Sequence, residues 1–275
     1  MNLEAQNNQY LINGKPSAGL SLLDRGLAYG DGVFRTFLVK NGVPHHWALQ
    51  YQKLSQDCQA LGIACPSNEE LLSDIETLFN QSTDAIAKII VTRGESSRGY
   101  AVPAEIQANR VVLKSALPTY PLSNQTQGVS LHLCELKLGA QTKLAGVKHL
   151  NRLENVLARM EWSDAKIADG LLMDSHENVI ECTMSNIFAR FGNKLITPSL
   201  DQCGVAGIAR ARIIQSANHF NLDVKIEAMK LDKLMQADEI IICNSLFGAW
   251  QVVSFNGKQW KKQGLDTQLR EMLVN

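Results

Sequence analysis

Residues 146–160 read GVKHLNRLENVLARM, a run in which one lysine stands just ahead of a change in period. Leu150, Leu153, Leu157 and Met160 recur at steps of three and four, which predicts a helix from Asn151 to Ala168 with that row as its buried stripe. Asn151 and Glu154 resemble an N-terminal capping pair. Lys148 therefore precedes the helix. A lysine there can lie in solvent, as most lysines do. It can also aim its amine into a cleft, where desolvation lowers its pKa and makes it a nucleophile toward carbonyl compounds.

Two stretches downstream bear on that choice. In NVIECTM (178–184) an otherwise apolar or small-residue strand carries Glu181. Either this is an edge strand with the carboxylate exposed, or the carboxylate is buried and must meet a donor. In DQCGVAGIARARII (201–214) a glycine-containing turn feeds a helix starting at about Gly207 and running to Phe220. The free backbone N–H groups of such a helix start suit a phosphate. An amine nucleophile, a buried carboxylate and a phosphate-binding helix start are together the parts that pyridoxal phosphate requires.

Upstream, YLINGKPSAG (10–19) and GVFRTFLVKNGVPHHW (32–47) each read as strand, Asn-Gly turn, strand. Trp47, Tyr51, Leu54, Cys58 and Leu61 mark one face of a helix stopped by Gly62, and Ser67 with Glu70 forms a capping box for a second. AIAKIIVTRG (85–94) and RVVLKSAL (110–117) are β-branched strands flanking a loop suited to ligand contacts. Residues 116–127, ALPTYPLSNQTQ, lose periodicity and hold two prolines, which predicts a linker. The expected organisation is mixed α/β (α+β): a smaller N-terminal domain over 1–115 and a larger C-terminal domain over 128–275 that carries Lys148.

Composition sets limits on function. Of 275 residues, 45% are hydrophobic and 20% charged, and 27 Lys plus Arg balance 27 Asp plus Glu, so no net field favours nucleic acid or an anionic membrane. The opening MNLEAQNNQYLING has neither a basic region nor an apolar run, and no stretch approaches bilayer-crossing length; a cytoplasmic protein is expected. Six cysteines without any C-x-x-C pair read as buried free thiols, and no metal site is expected from the cysteines or histidines. P-loop, H-E-x-x-H and G-x-S-x-G signatures are absent. GDGVFR (30–35) imitates a dinucleotide fingerprint but enters a strand where the fingerprint opens a helix.

DRGLAYGDGVFRT (24–36), GVKHLNRLENVLAR (146–159), DGLLMDSHENVIECTMSNIFAR (169–190), DQCGVAGIAR (201–210) and ADEIIICNSLFGAWQV (237–252) resemble, in order and spacing, the fold-type IV pyridoxal-phosphate enzymes. KHLNRLE is closest to the branch of lyases that release 4-aminobenzoate and pyruvate from 4-amino-4-deoxychorismate in folate synthesis. D-amino-acid and branched-chain aminotransferases of the fold carry other residues after the lysine, and they remain the alternative, with a non-catalytic pyridoxal-phosphate-binding protein as a third reading. The resemblance implies a cofactor, pyridoxal 5′-phosphate, held by a Schiff base at Lys148 and by Glu181 at the pyridine nitrogen. It implies a phosphate cup from Gly207, Ile208 and Ala209 with Asn244 and Ser245. Lys53 stands where the family usually has a phosphate-binding arginine, and lysine lacks the two-pronged fork. Arg98 matches an arginine near the substrate carboxylate, Arg93 is its rival, and Tyr29 and Arg25 belong to a segment near the active site. A homodimer is implied as well.

Overall fold

The computed structural model describes residues 9–16, 19–80 and 84–274. The chain divides into two compact units. The first comprises residues up to Thr119 together with Val147–Asn151; the second comprises Tyr120–Gly146 and Arg152 onward.

In the first unit, β1 (Gln9–Ile12), β2 (Lys15–Pro16), α1 (Arg25–Tyr29), β3 (Gly32–Lys40), β4 (Val43–Pro44), α2 (Trp47–Leu61), α3 (Asn68–Phe79), β5 (Ala85–Thr92) and β6 (Asn109–Ser115) follow in order. The strands form an antiparallel sheet of order β2-β1-β6-β5-β3-β4. Both Asn-Gly pairs turn their hairpins with positive φ at each residue: 50° and 76° at Asn13 and Gly14, 49° and 79° at Asn41 and Gly42. That backbone twist matches the strands it joins. Ser67 and Glu70 cap α3 reciprocally, as the sequence predicts. The core joins Val33, Phe37 and Val39 of β3 to Leu54 and Cys58 of α2 and Leu71 and Ile75 of α3, and it also takes in Val147.

The second unit holds α4 (Ser123–Thr126), β7 (Val129–Leu138), α5 (Leu153–Arg159), β8 (Ile167–Asp174), β9 (Asn178–Cys182), β10 (Asn186–Phe191), β11 (Lys194–Pro198), α6 (Ile208–Ser216), β12 (Asp223–Glu227), β13 (Met229–Lys230), α7 (Leu231–Met235), β14 (Glu239–Asn244), β15 (Gly248–Phe255), β16 (Lys258–Gln259) and α8 (Leu265–Val274). Its mixed sheet has the order β12-β11-β10-β14-β15-β7-β8-β9-β13, with β16 on β15. Phe247 and Trp250 stack at 3.8 Å between ring centroids in its main core. No helix of the described residues is long and apolar enough to cross a membrane.

Several expectations need correction. Lys148 belongs to the first unit, because its segment adds to β3: Phe34 N–H donates to Lys148 O at 3.0 Å and Leu150 N–H to Gly32 O at 2.9 Å. Helix α5 ends at Arg159, well short of Ala168. Ser163 and Asp164 favour a turn there, and Glu161 is drawn to β7, where it accepts the Leu136 N–H at 3.0 Å. The supposed buried stripe faces outward: Leu153, Leu157 and Met160 are 61, 51 and 74% exposed, and Val156 joins them at 56%. Asn151 and Glu154 do not cap each other. Asn151 Nδ2 donates to Gly30 O at 3.3 Å, and Glu154 Oε1 accepts the Gly139 N–H at 2.8 Å. The proline-containing stretch 116–127 includes the one-turn helix α4, and α7 had no counterpart in the sequence reading. Of the six cysteines, five are buried and Cys65 is half-buried; all are free thiols.

Candidate active site

Lys148 reaches its place through the backbone pairing with β3 just described. Its Nζ lies 4.5 Å from the centroid of the Phe34 ring, a cation–π geometry that fixes the amine over an aromatic face. Its backbone N–H points at Asp57 Oδ2, 3.4 Å away. Asp57 comes from α2, is 1% exposed, and divides its carboxylate. Oδ1 pairs with Lys53 one helical turn earlier, and Oδ2 lies 3.5 Å from Arg35 Nη1. Burial pulls the Lys53 ammonium below the usual lysine range; Asp57 opposes that shift and the Arg35 charge adds to it. Burial likewise lowers Arg35, against the pull of Asp57.

Glu181 is 4% exposed, and β9 is flanked by β8 and β13, so the exposed-edge alternative is ruled out. Its Oε2 accepts the Val205 N–H at 2.9 Å and the Asn186 Nδ2–H at 3.3 Å. Asn186 also donates to Val205 O at 2.8 Å and accepts the Gly207 N–H at 3.2 Å. One amide side chain thus ties the buried carboxylate to the turn that opens α6.

Gly207 is the N-cap of α6, extended at φ −73° and ψ 149°. A Cβ there would stand 2.3 Å from Asn186 Oδ1, so the close approach requires glycine. Its own N–H is taken by Asn186. The amides of Ile208 and Ala209, at the first two helical positions, have no carbonyl in a preceding turn to bond and carry the positive end of the helix dipole. Asn244 is a turn builder: Oδ1 accepts the N–H groups of Leu246 and Phe247 at 2.9 and 3.0 Å, and Nδ2 donates to Met184 O at 3.2 Å. Ser245 beside it is half-buried.

The four candidates of the substrate segment have separate situations. Arg25 is 4% exposed and holds the loop after β5: it donates to Ser96 Oγ at 3.0 Å, Gly99 O at 3.1 Å and Tyr100 O at 3.1 Å, and pairs with Asp31 at 2.8 Å. Arg93 uses its donors on Asp31, Leu61 O and Gly62 O. Tyr29 accepts the Gly99 N–H through its hydroxyl at 3.1 Å and sits against the Tyr100 ring. Arg98 is exposed at the tip of the same loop, with no partner among the described residues. Arg25 and Tyr29 therefore hold the loop, Arg93 ties the end of β5 to Asp31 and to the end of α2, and Arg98 is what the loop presents. Burial pushes the Asp31 carboxyl up, but the hydrogen bonds and charges of Arg93 and Arg25 outweigh it and hold it below the usual range.

Arg35, Asp57, Phe34 and Asn186 were not singled out from the sequence. Arg35 leaves a trace there. Val33, Arg35, Phe37 and Val39 share the core-facing register of β3, and a charge in that register needs a buried partner. Asn186 leaves none, since its partners lie on β9 and on the turn before α6.

Residues 32–255 match the model of the amino-transferase class IV family. The chain belongs to that family. Within the class IV family it is similar to the aminodeoxychorismate lyase of Vibrio harveyi, 33% identical over 92% of this chain and 93% of that one. It is also similar to a putative branched-chain-amino-acid aminotransferase of Methanocaldococcus jannaschii, 29% identical over 90% of this chain and 88% of that one. Among solved structures, the 4-amino-4-deoxychorismate lyase of Pseudomonas aeruginosa superposes with a TM-score of 0.90 at 41% identity, covering 96% of this chain and 97% of its own. The branched-chain aminotransferase of Escherichia coli, at TM-score 0.84 and 19% identity over 96% and 92% of the two chains, shares the fold. The fold is thus that of the fold-type IV enzymes, with helices, one antiparallel sheet and one mixed sheet.

Proposed function

We propose that this protein is a pyridoxal-phosphate-dependent lyase that converts 4-amino-4-deoxychorismate into 4-aminobenzoate and pyruvate, for folate synthesis. The observation that carries this reading is the 41% identity with the Pseudomonas aeruginosa lyase over nearly the full length of both chains. The two aminotransferases compared above are less similar, at 29% and 19% identity.

The residues fit pyridoxal 5′-phosphate: an amine at Lys148, a buried and donor-braced carboxylate at Glu181, the Ile208 and Ala209 amides that have no helical partner at the start of α6, and a cation at Lys53. When bound, the cofactor supplies an aldehyde for a lysine amine and a pyridinium ring that draws electrons from a breaking bond. Lys148 would anchor the aldehyde and Glu181 would keep the ring nitrogen protonated. Lys53 and the Ile208 and Ala209 amides would hold the phosphate, with Ser245 as a further contact. Lys148 Nζ would be the base that takes the proton from the carbon bearing the substrate amine. Loss of that proton and cleavage of the C–O bond to the enolpyruvyl group, which departs with the bonding electrons and is released as pyruvate, would leave an aromatic ring. Arg98 contacts a substrate carboxylate through its guanidinium fork.

The deciding experiment is an assay of 4-aminobenzoate formation from 4-amino-4-deoxychorismate by wild type and Lys148→Ala, with borohydride trapping and peptide mapping. Activity in the wild type only, and a label at Lys148, are expected. Rapid half-transamination with D- or L-amino acids and little 4-aminobenzoate would instead make the protein an aminotransferase. The resemblance also supports a homodimer, and the exposed apolar row of α5 is a surface that assembly would bury.

A further inference from the structure

Asp169, on β8, is fully buried and forms no ion pair among the described residues. Hydrogen bonds alone hold its carboxylate. Oδ1 accepts the Thr183 hydroxyl at 2.6 Å and the Gly170 N–H at 2.8 Å, and Oδ2 accepts the Ser185 hydroxyl at 2.7 Å. Burial pushes the carboxyl up, and these bonds, with the Met184 amide, oppose that shift. Both hydroxyls come from one short connector, residues 183–185, between the end of β9 at Cys182 and the start of β10 at Asn186. Glu181 stands just before the connector and Asn186 just after it. Although consecutive, β9 and β10 are not paired: β9 lies between β8 and β13, and β10 between β11 and β14. No ladder therefore sets the spacing of Glu181 and Asn186; the connector does. It closes on itself through the Cys182 N–H to Ser185 O bond at 2.7 Å, and Asn155 and Asn244 hold its Thr183 and Met184 carbonyls at 2.9 and 3.2 Å. Only Asp169 grips two of its side chains at once. The Asn186 Nδ2 to Glu181 Oε2 bond, at 3.3 Å, is already at the long end of its kind, so a small drift of the connector would break it.

We propose that Asp169 is a positioning residue for recognition of the cofactor's ring nitrogen: by gripping the Thr183 and Ser185 hydroxyls it sets the connector so that Asn186 meets Glu181 and keeps that carboxylate aimed. This rests on the reading of Glu181 as the ring-nitrogen contact given above. Asp169 acts through Asn186 and Glu181 and does not itself meet the ring. A carboxylate suits the task because its two oxygens accept both hydroxyls together, whereas an amide accepts through one oxygen only.

The test compares the affinities of the full-length, cofactor-stripped protein for pyridoxal 5′-phosphate and for its analogue in which C–H replaces the ring nitrogen. Their ratio isolates that nitrogen, and the wild type should favour the natural cofactor. Asp169→Leu, which removes both acceptors at similar size, should lower the ratio severalfold, and Asp169→Asn, which keeps one acceptor, should recover part of the loss. Thr183→Val and Ser185→Ala, each removing one of the bonds from the other end, should lower the ratio by less; should Asp169→Leu not fold, these two decide. A role confined to the fold would lower the melting temperature and weaken both ligands equally, so a ratio that stays at the wild-type value in the variants would overturn the proposal and leave the reading of Glu181 intact. A wild-type ratio near one would instead remove Glu181 from the ring nitrogen, and this inference with it.

Discussion

Asn186, at the start of β10, braces Glu181 of β9: its Nδ2 stands 3.3 Å from Glu181 Oε2 while its Oδ1 receives the Gly207 N–H. Replacing it by alanine removes both contacts and the bond to Val205 O. Stability should fall by about 1–3 kcal/mol. Asn186→Asp keeps the acceptor for Gly207 but sets a second carboxylate against Glu181, so one of the two must hold a proton. A protonated Glu181 cannot keep the pyridine nitrogen charged, so cofactor affinity should then be poorer at pH 6 than at pH 8, which a titration at the two pH values reads. Equal affinities would separate Glu181 from the pyridine nitrogen.

The ion pairs of Asp31 predict an acid limb in stability. Its folded pKa lies below the unfolded value of about 3.9, so its contribution is fully present above about pH 4 and is lost as pH falls through the folded pKa. Urea melts from pH 6 to pH 3 should show a shallower fall for Asp31→Asn than for wild type.

Arg25 ties down the loop that presents Arg98. Arg25→Lys loses the fork that reaches Gly99 O and Tyr100 O, and limited proteolysis at residues 96–101 should speed up severalfold. With the loop loosened, KM for 4-amino-4-deoxychorismate should rise more than kcat falls. Arg98→Met should raise KM without faster cleavage.

The apolar row of α5 predicts assembly through that face. Leu157→Glu puts a charge on a residue already half exposed, so the fold should tolerate it. Light scattering should show a shift from dimer toward monomer, and an unchanged mass would move the interface elsewhere.

What the sequence disclosed follows from how local each cause is. The Asn-Gly hairpins and the Ser67–Glu70 cap are decided by neighbouring residues, and their boundaries came out close. The row Leu153, Leu157, Met160 announced a shared helix face, but periodicity does not say what covers that face, and none of the described chain does. Glu181 stood out because a carboxylate is anomalous in an apolar strand. Lys148 was placed with the wrong unit because its pairing partner, β3, lies more than a hundred residues earlier in the chain. Arg35 could have been found from strand alternation alone; Asn186 could not.

The strap Val147–Asn151 has a consequence for biosynthesis. Its partner positions, Gly32 and Phe34, emerge from the ribosome long before it does, so the start of β3 keeps an unsatisfied edge until residue 150 has been translated. A truncation after Thr119 would leave that edge bare permanently. Such a fragment should aggregate where the whole chain does not, even though most of the first unit's residues are in it.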